Sequence, residues 1–158
     1  MDAIDLRLVE LLRANARSSY AELARQVGLS APAVHDRVGK LEASGVIRGY
    51  RADADPEAVG LGVTALIGLV QDSGGDTDEV LAALRELPEI ESCYFMAGVE
   101  SFLVKARVAS IAELEHLIVR LNRIPGVAST RTGVALSTKW ENRPQPLLRS
   151  QDGAAGPV

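Results

Sequence analysis

The stretch SYAELARQVGLSAPAVHDRVGKLEASG, residues 19–45, decides the fold of the first third of the chain. It opens with Ser19-Tyr20-Ala21-Glu22, a capping-box pattern in which the serine hydroxyl accepts from the Glu22 amide and the glutamate returns to the Ser19 amide. The helix begun there carries Leu23, Ala24 and Val27 and meets Gly28 at once, a residue free to take the left-handed conformation that stops a helix. Leu29 leads into Ser30, a second good cap, and Pro32 falls in the first turn of the next helix, where its missing N–H costs little. That third helix sets Val34, Val38 and Leu41 on one stripe and finishes before Gly45, with Gly39 costing about 1 kcal/mol relative to alanine. Upstream, Ile4, Leu8, Leu11 and Leu12 recur at helical spacing behind the cap Asp2, which predicts an opening amphipathic helix ending near Ala14 to Arg17.

Two short helices joined by a tight glycine turn, with a supporting helix in front, form a helix-turn-helix pattern. Away from the Val34 stripe, Asp36 and Lys40 project outward, with Ala33 and Arg37 on one flank and His35 on the other. Such a face is narrow and polar enough to enter a DNA major groove, where lysine and arginine reach phosphates or guanine edges. Periodicity alone equally allows a three-helix core with a solvated polar face. Charge adds a small hint. Residues 1–51 hold eight basic against six acidic side chains, whereas the remainder holds nine against fifteen, so a mildly basic head precedes an acidic body within a net charge of -4.

Asp53-Ala54-Asp55-Pro56, followed by Gly60 and Gly62, marks a hinge over 52–60 between a head of residues 1–51 and a body of residues 61–140. Leu61 to Val70 reads as a continuous apolar strand, Ser73-Gly74-Gly75-Asp76 as a turn, and Val80, Leu81, Leu84 and Leu87 as a helix ending near Pro88. Ile90 to Ala97 and Ser101 to Val108 form a hairpin about Gly98. Ile111, Leu114, Leu117, Ile118 and Leu121 mark a second helix closing at Ile124-Pro125-Gly126, and Val127 to Thr138 is the last strand. The order is βαββαβ, a ferredoxin-like split unit, and the whole is an α+β chain. Both helices of such a unit cover one face of the sheet. The other face should be polar in a monomer, yet Leu66, Val70, Tyr94, Met96 and Leu103 fall on it, which points to a homodimer formed through the sheets. Two heads on a two-fold axis read half-sites about one helical turn, or a multiple of it, apart. Residues 141–158, rich in proline, glycine and alanine, read as a partly disordered tail.

Other classes fit poorly. The apolar run Leu61 to Val70 is far shorter than the about 20 residues that span a bilayer, and Asp2, Asp5 and Arg7 stand where a signal peptide has its apolar core, so a cytoplasmic protein is expected. A single cysteine, Cys93, forms neither an internal disulfide nor a structural zinc site, and the isolated His35 and His116 supply no metal cluster. No cofactor and no metal are expected. Cys93 reads as a packed small residue rather than a nucleophile, and no nucleophile, base and orienter set is apparent.

The words of the head are more specific than its periodicity. Ile4-Asp5-Leu6, Asn15-Ala16-Arg17, Glu22-Leu23-Ala24, Val27-Gly28-Leu29-Ser30, Arg37-Val38, Leu41-Glu42 and Gly45-Val46-Ile47-Arg48-Gly49-Tyr50 resemble, in order, the amino-terminal domain of Lrp/AsnC-type (feast/famine) transcription regulators. Ile124-Pro125-Gly126-Val127 and Thr130-Arg131-Thr132 look like that family's carboxy-terminal signature. The resemblance implies that the helix from Ser30 to Ser44 is a recognition helix and that Val46 to Arg51 starts a strand leading out of a winged-helix-like head. Ser30, Ala33, His35, Asp36, Arg37 and Lys40 are then candidates for the groove of double-stranded DNA or its rim, with Arg48 and Arg51 for phosphates. It implies too that the body binds a small effector, an amino acid or related metabolite, and that dimers assemble into tetramers or octamers.

Family members commonly carry Gly-Asp-x-Asp in the turn between the second and third strands, near the effector. Here that turn is Gly98-Val99-Glu100-Ser101, so both aspartates are missing, while Glu100 remains to hold an ammonium group and amides near Gly98 to hold a carboxylate. Met96, Ala97, Thr130 and Thr132 are candidate walls. A plain hairpin turn with a solvated Glu100 is the simpler alternative. Two other functions share the architecture: an enzyme resembling heme-pathway decarboxylases, which needs acid–base groups gathered in a pocket, and an amino-acid sensor without DNA binding. The body offers the first only His116, flanked by Glu115 and Leu117, and the intact words from Ser30 to Gly49 disfavour the second.

Overall fold

The computed structural model describes residues 1–147. It divides into two compact units, Met1–Asp53 with the described segment from Trp140, and Ala54–Lys139. The part of the expected disordered tail after residue 147 lies outside the described residues, and 141–147 form no helix or strand.

The first unit holds α1 (Ala3–Ala14), α2 (Tyr20–Val27) and α3 (Ala31–Ala43). Their ends follow from the caps. Asp2 and Asp5 form a capping box at α1, and Ser19 and Glu22 form another at α2. Gly28 stops α2 at φ 69°, where an L side chain is strained. Ser30 caps α3 by accepting from the Ala33 amide. Leu8, Leu12, Leu23, Ala24, Val34, Val38 and Leu41 bury together, and Ile47 packs against them.

The strand implied from Val46 onward does not form; residues 46–51 belong to no sheet. A strand exists only with a ladder partner, and the four strands among the described residues all lie in the second unit. The segment is held instead by the Ile47 amide donating to the Leu41 carbonyl at 3.0 Å and by the Tyr50 hydroxyl donating to Glu42 at 2.7 Å.

The second unit runs β1 (Val63–Gln71), α4 (Thr77–Arg85), β2 (Ile90–Phe95), β3 (Phe102–Val108), α5 (Ile111–Asn122) and β4 (Val127–Val134). This is the βαββαβ order, in an antiparallel sheet ordered β2-β3-β1-β4. Ala65, Ile67 and Leu69 of β1 with Phe102, Val104, Ala106 and Val108 of β3 face the helices and bury against Val80, Leu84, Leu114, Leu117 and Leu121. All four strands are shorter than expected, β1 and β3 by one residue each and β2 and β4 by more. β2 stops at Phe95, where the Met96 amide closes the hairpin turn on the Ser101 carbonyl, and β4 stops at Val134, just before the Ala135 amide donates to the Thr64 carbonyl.

The opposite face departs from the expectation of an apolar surface. Leu66 (49% exposed), Tyr94 (56% exposed) and Leu103 do lie there. The same alternation brings Lys105 and Arg107 out, and both pair with Glu91, at 2.7 and 2.6 Å. The face is an apolar patch beside a charged corner in which both basic side chains are largely buried. Cys93 is exposed rather than packed, because β2 is an edge strand. Desolvation pushes its thiol pKa up, with Arg85 opposing, so the thiolate is not favoured. His116 is exposed on α5.

Candidate functional site

On α3 the candidate side chains occupy distinct surroundings. Ser30 is spent on capping. His35 meets the Tyr20 ring edge-on, with centroids 5.0 Å apart, and its Nδ1 lies 3.6 Å from Asp36. Ala33 is half-buried, while Asp36 and Lys40 are exposed, and all three line one open depression with Arg37, Ser44, Val46 and the start of α1. Arg48 and Arg51 are exposed beyond it and line a separate depression with Val9, Leu12 and Arg13. Arg37 differs from the rest, since its guanidinium turns back to α1 and one nitrogen, Nη1, donates to both Asp2 and Asp5 at 2.7 Å. Those carboxylates raise the Arg37 pKa, and the Asp5 amide with the guanidinium lowers that of Asp2.

In the second unit a cleft of about 390 Å³ opens on the uncovered sheet face, lined by Leu66, Gly68, Met96, Glu100, Leu103, Arg131, Thr132 and Gly133. Glu100 folds back from the hairpin turn over β1, and its carboxylate pairs with Arg131 at 2.9 Å. Glycine at 68 makes this possible, because a Cβ there would stand 2.6 Å from Glu100 Cγ. Register places Arg131 directly across from Gly68.

Of the effector residues expected from sequence, Met96 and Glu100 come together in this cleft; Thr132 lies at its edge, but register pairs it with Ile67, so its side chain points to the helix-covered face. Ala97, Gly98, Val99, Ser101 and Thr130 are not part of its lining. Ala97, Gly98 and Val99 are exposed at the hairpin tip, and Ser101 is tied to β1 by its amide donating to the Leu69 carbonyl. The Thr130 side chain bonds to Asn122 of α5 on the helix-covered face. Arg131 was not among the sequence candidates, although the signal was present: in Thr130-Arg131-Thr132, strand alternation turns the middle residue to the face opposite both threonines.

A helix-turn-helix head joined to a ferredoxin-like body with a charged, part-apolar cleft fits the class of DNA-binding regulators that carry their own ligand-binding domain. Residues 1–42 match the AsnC-type helix-turn-helix domain, and residues 63–145 match the Lrp/AsnC ligand binding domain. The chain is 40% identical over 143 residues to the HTH-type transcriptional regulator LrpA of Mycobacterium tuberculosis, covering 90% of this chain and 95% of that one. It is 36% identical over 151 residues to the regulatory protein AsnC of Escherichia coli, covering 95% of each. Among solved structures, a feast or famine regulatory protein from M. tuberculosis complexed with L-methionine superposes with a TM-score of 0.86 at 40% identity, covering 91% of this chain and 97% of that one. The chain belongs to the Lrp/AsnC family of transcription regulators. Among the described residues, no helix is long and apolar enough to cross a membrane.

Proposed function

We propose that the cleft over Gly68 is the effector site and that its ligand is a free amino acid or a close zwitterionic relative. The observation that carries this is the Glu100–Arg131 pair at the cleft. An entering ligand separates the two charges, and a zwitterion replaces both partners at once: its ammonium donates to Glu100 and its carboxylate accepts from Arg131. A ligand with one charge meets only one of the two: Glu100, 30% exposed, gains most from a new partner, while Arg131, 78% exposed, is otherwise left to water. Leu66, Met96 and Leu103 supply an apolar wall for the ligand's side chain. The L-methionine bound by the M. tuberculosis relative supports this ligand class.

Ala33, His35, Asp36 and Lys40 on α3 present the DNA-reading face, with Ser30 at the helix cap on its rim and Arg48 and Arg51 for phosphates. The chain acts in the cytoplasm as a homo-oligomer built from dimers that meet on the sheet face of Leu66, Tyr94 and Leu103, so the cleft, which shares Leu66 and Leu103, lies at the seam between protomers, and it works by binding rather than by catalysis. Effector control is a population shift: a ligand favouring one arrangement of protomers changes the spacing of the heads by no more than its differential affinity allows. Calorimetric titration of the protein with methionine, its methyl ester and its N-acetyl derivative tests the cleft reading. Binding of the free amino acid alone is expected, and equal binding of either blocked form contradicts it.

A further inference from the structure

We infer that Arg37 is a positioning residue, not a DNA contact: it locks the recognition helix to the capping box of α1. The geometry is a division of labour between oxygens. Asp2 Oδ1 accepts from the Asp5 amide at 2.8 Å and Asp5 Oδ2 accepts from the Asp2 amide at 2.9 Å, which is the capping box itself. The two remaining oxygens, Asp2 Oδ2 and Asp5 Oδ1, both receive Arg37 Nη1. No oxygen of either carboxylate is left over, and the guanidinium joins residues 32 and 35 positions away in sequence.

An isolated exposed ion pair contributes little to stability. This one is a three-residue network in which Asp5 keeps 17%, Arg37 32% and Asp2 52% of side-chain exposure, and the caps already fix both carboxylates. It therefore acts less as glue than as an angular stop, fixing the side of α3 beside Asp36 and Lys40 relative to α1. The same two carboxylates oppose phosphate at that nitrogen, since a DNA oxygen there meets two negative charges.

The inference rests on the reading that α3 enters DNA. Its test is fluorescence anisotropy of the full chain on a duplex from upstream of its own gene, over a salt series, for three variants. In Asp2→Asn/Asp5→Asn the amide oxygens still cap α1, so the change removes charge and not the cap. Loss of two negative charges near DNA by itself tightens binding. A positioning role gives the opposite sign, a several-fold weaker affinity with unchanged helicity by circular dichroism. Arg37→Gln is expected to weaken binding while leaving the slope of log K against log salt unchanged, whereas Lys40→Ala reduces its magnitude by about 0.9, the share of one phosphate. Tighter or unaltered binding in the double variant, or a slope reduced by about 0.9 in Arg37→Gln, overturns the inference. Each arm stands if the other variant fails to fold. If neither Arg37→Gln nor Lys40→Ala alters binding, the reading of α3 itself fails and takes this one with it.

Discussion

The Glu100 carboxylate meets the Arg131 guanidinium at 2.9 Å across the backbone of Gly68. One comes from a hairpin turn and the other from β4, and only a residue without a side chain at the centre of β1 lets them join. Gly68→Ala places a Cβ against Glu100 Cγ and drives that side chain off the sheet. Because Glu100 can swing outward from its turn, the fold should survive with a stability change within about 1 kcal/mol. Effector affinity should fall about ten- to hundredfold, the worth of one charge-assisted bond, while DNA binding without effector persists. Calorimetry and anisotropy on the same preparation check both halves.

Leu66 stands in the middle of the uncovered sheet face, opposite Lys105 on one side and Gly133 on the other. Leu66→Glu should leave the core intact, because the side chain points away from the helices, and should break the dimer by placing a carboxylate in the apolar patch. Light scattering reads the mass directly. A wild-type mass for this variant shows that the sheet face is not the interface.

The head offers two substitutions of opposite sign. Ser19→Ala removes the acceptor for the Glu22 amide and should cost about 1 kcal/mol. Gly39→Ala should stabilise α3 by up to about 1 kcal/mol, since an added Cβ meets nothing within 4 Å. Thermal melts of the two variants should shift in opposite directions.

The parts of this chain that sequence disclosed are those encoded locally. The caps Asp2, Ser19 and Ser30 and the stop at Gly28 are read from a few neighbouring residues, and each appears where its pattern places it. The apolar alternation of β1 likewise separates Ala65, Ile67 and Leu69, buried to the helices, from exposed Leu66. What stayed hidden depends on distant partners. The direction of the Arg37 side chain is set by Asp2 and Asp5 on another helix, and the pairing of Arg131 with Glu100 is set by the register of β4 on β1. The segment Val46 to Arg51 is a strand by the family resemblance, but nothing among the described residues supplies its ladder. The charged corner of the sheet was missed because Lys105 and Arg107 alternate outward from a strand that looks apolar along its buried side.

Tyr50 gives a pH signature of the head. Partial burial of the phenol and its bond to Glu42 push its pKa up to about 12 from the ordinary 10. The folded state thus holds its proton more tightly than the unfolded chain, so this contribution to stability is complete below pH 10 and is lost as pH rises from 10 through about 12. Glu42→Gln should lower the Tyr50 midpoint, since the carboxylate disfavours the phenolate, and an ultraviolet titration against Tyr50→Phe isolates that signal. An unchanged midpoint shows that Glu42 does not act on the phenol.

The most direct measurement is anisotropy of the full chain on a duplex from upstream of its own gene and on a scrambled duplex, across a salt series and with each free amino acid. The expected result is a preference for the first duplex, a linear loss of log affinity with log salt, and a shift in that affinity with at least one amino acid, of which Gly68→Ala requires about ten- to hundredfold more. Equal binding to both duplexes at every salt, or an affinity that no amino acid alters, contradicts a regulator that couples the Glu100–Arg131 cleft to DNA.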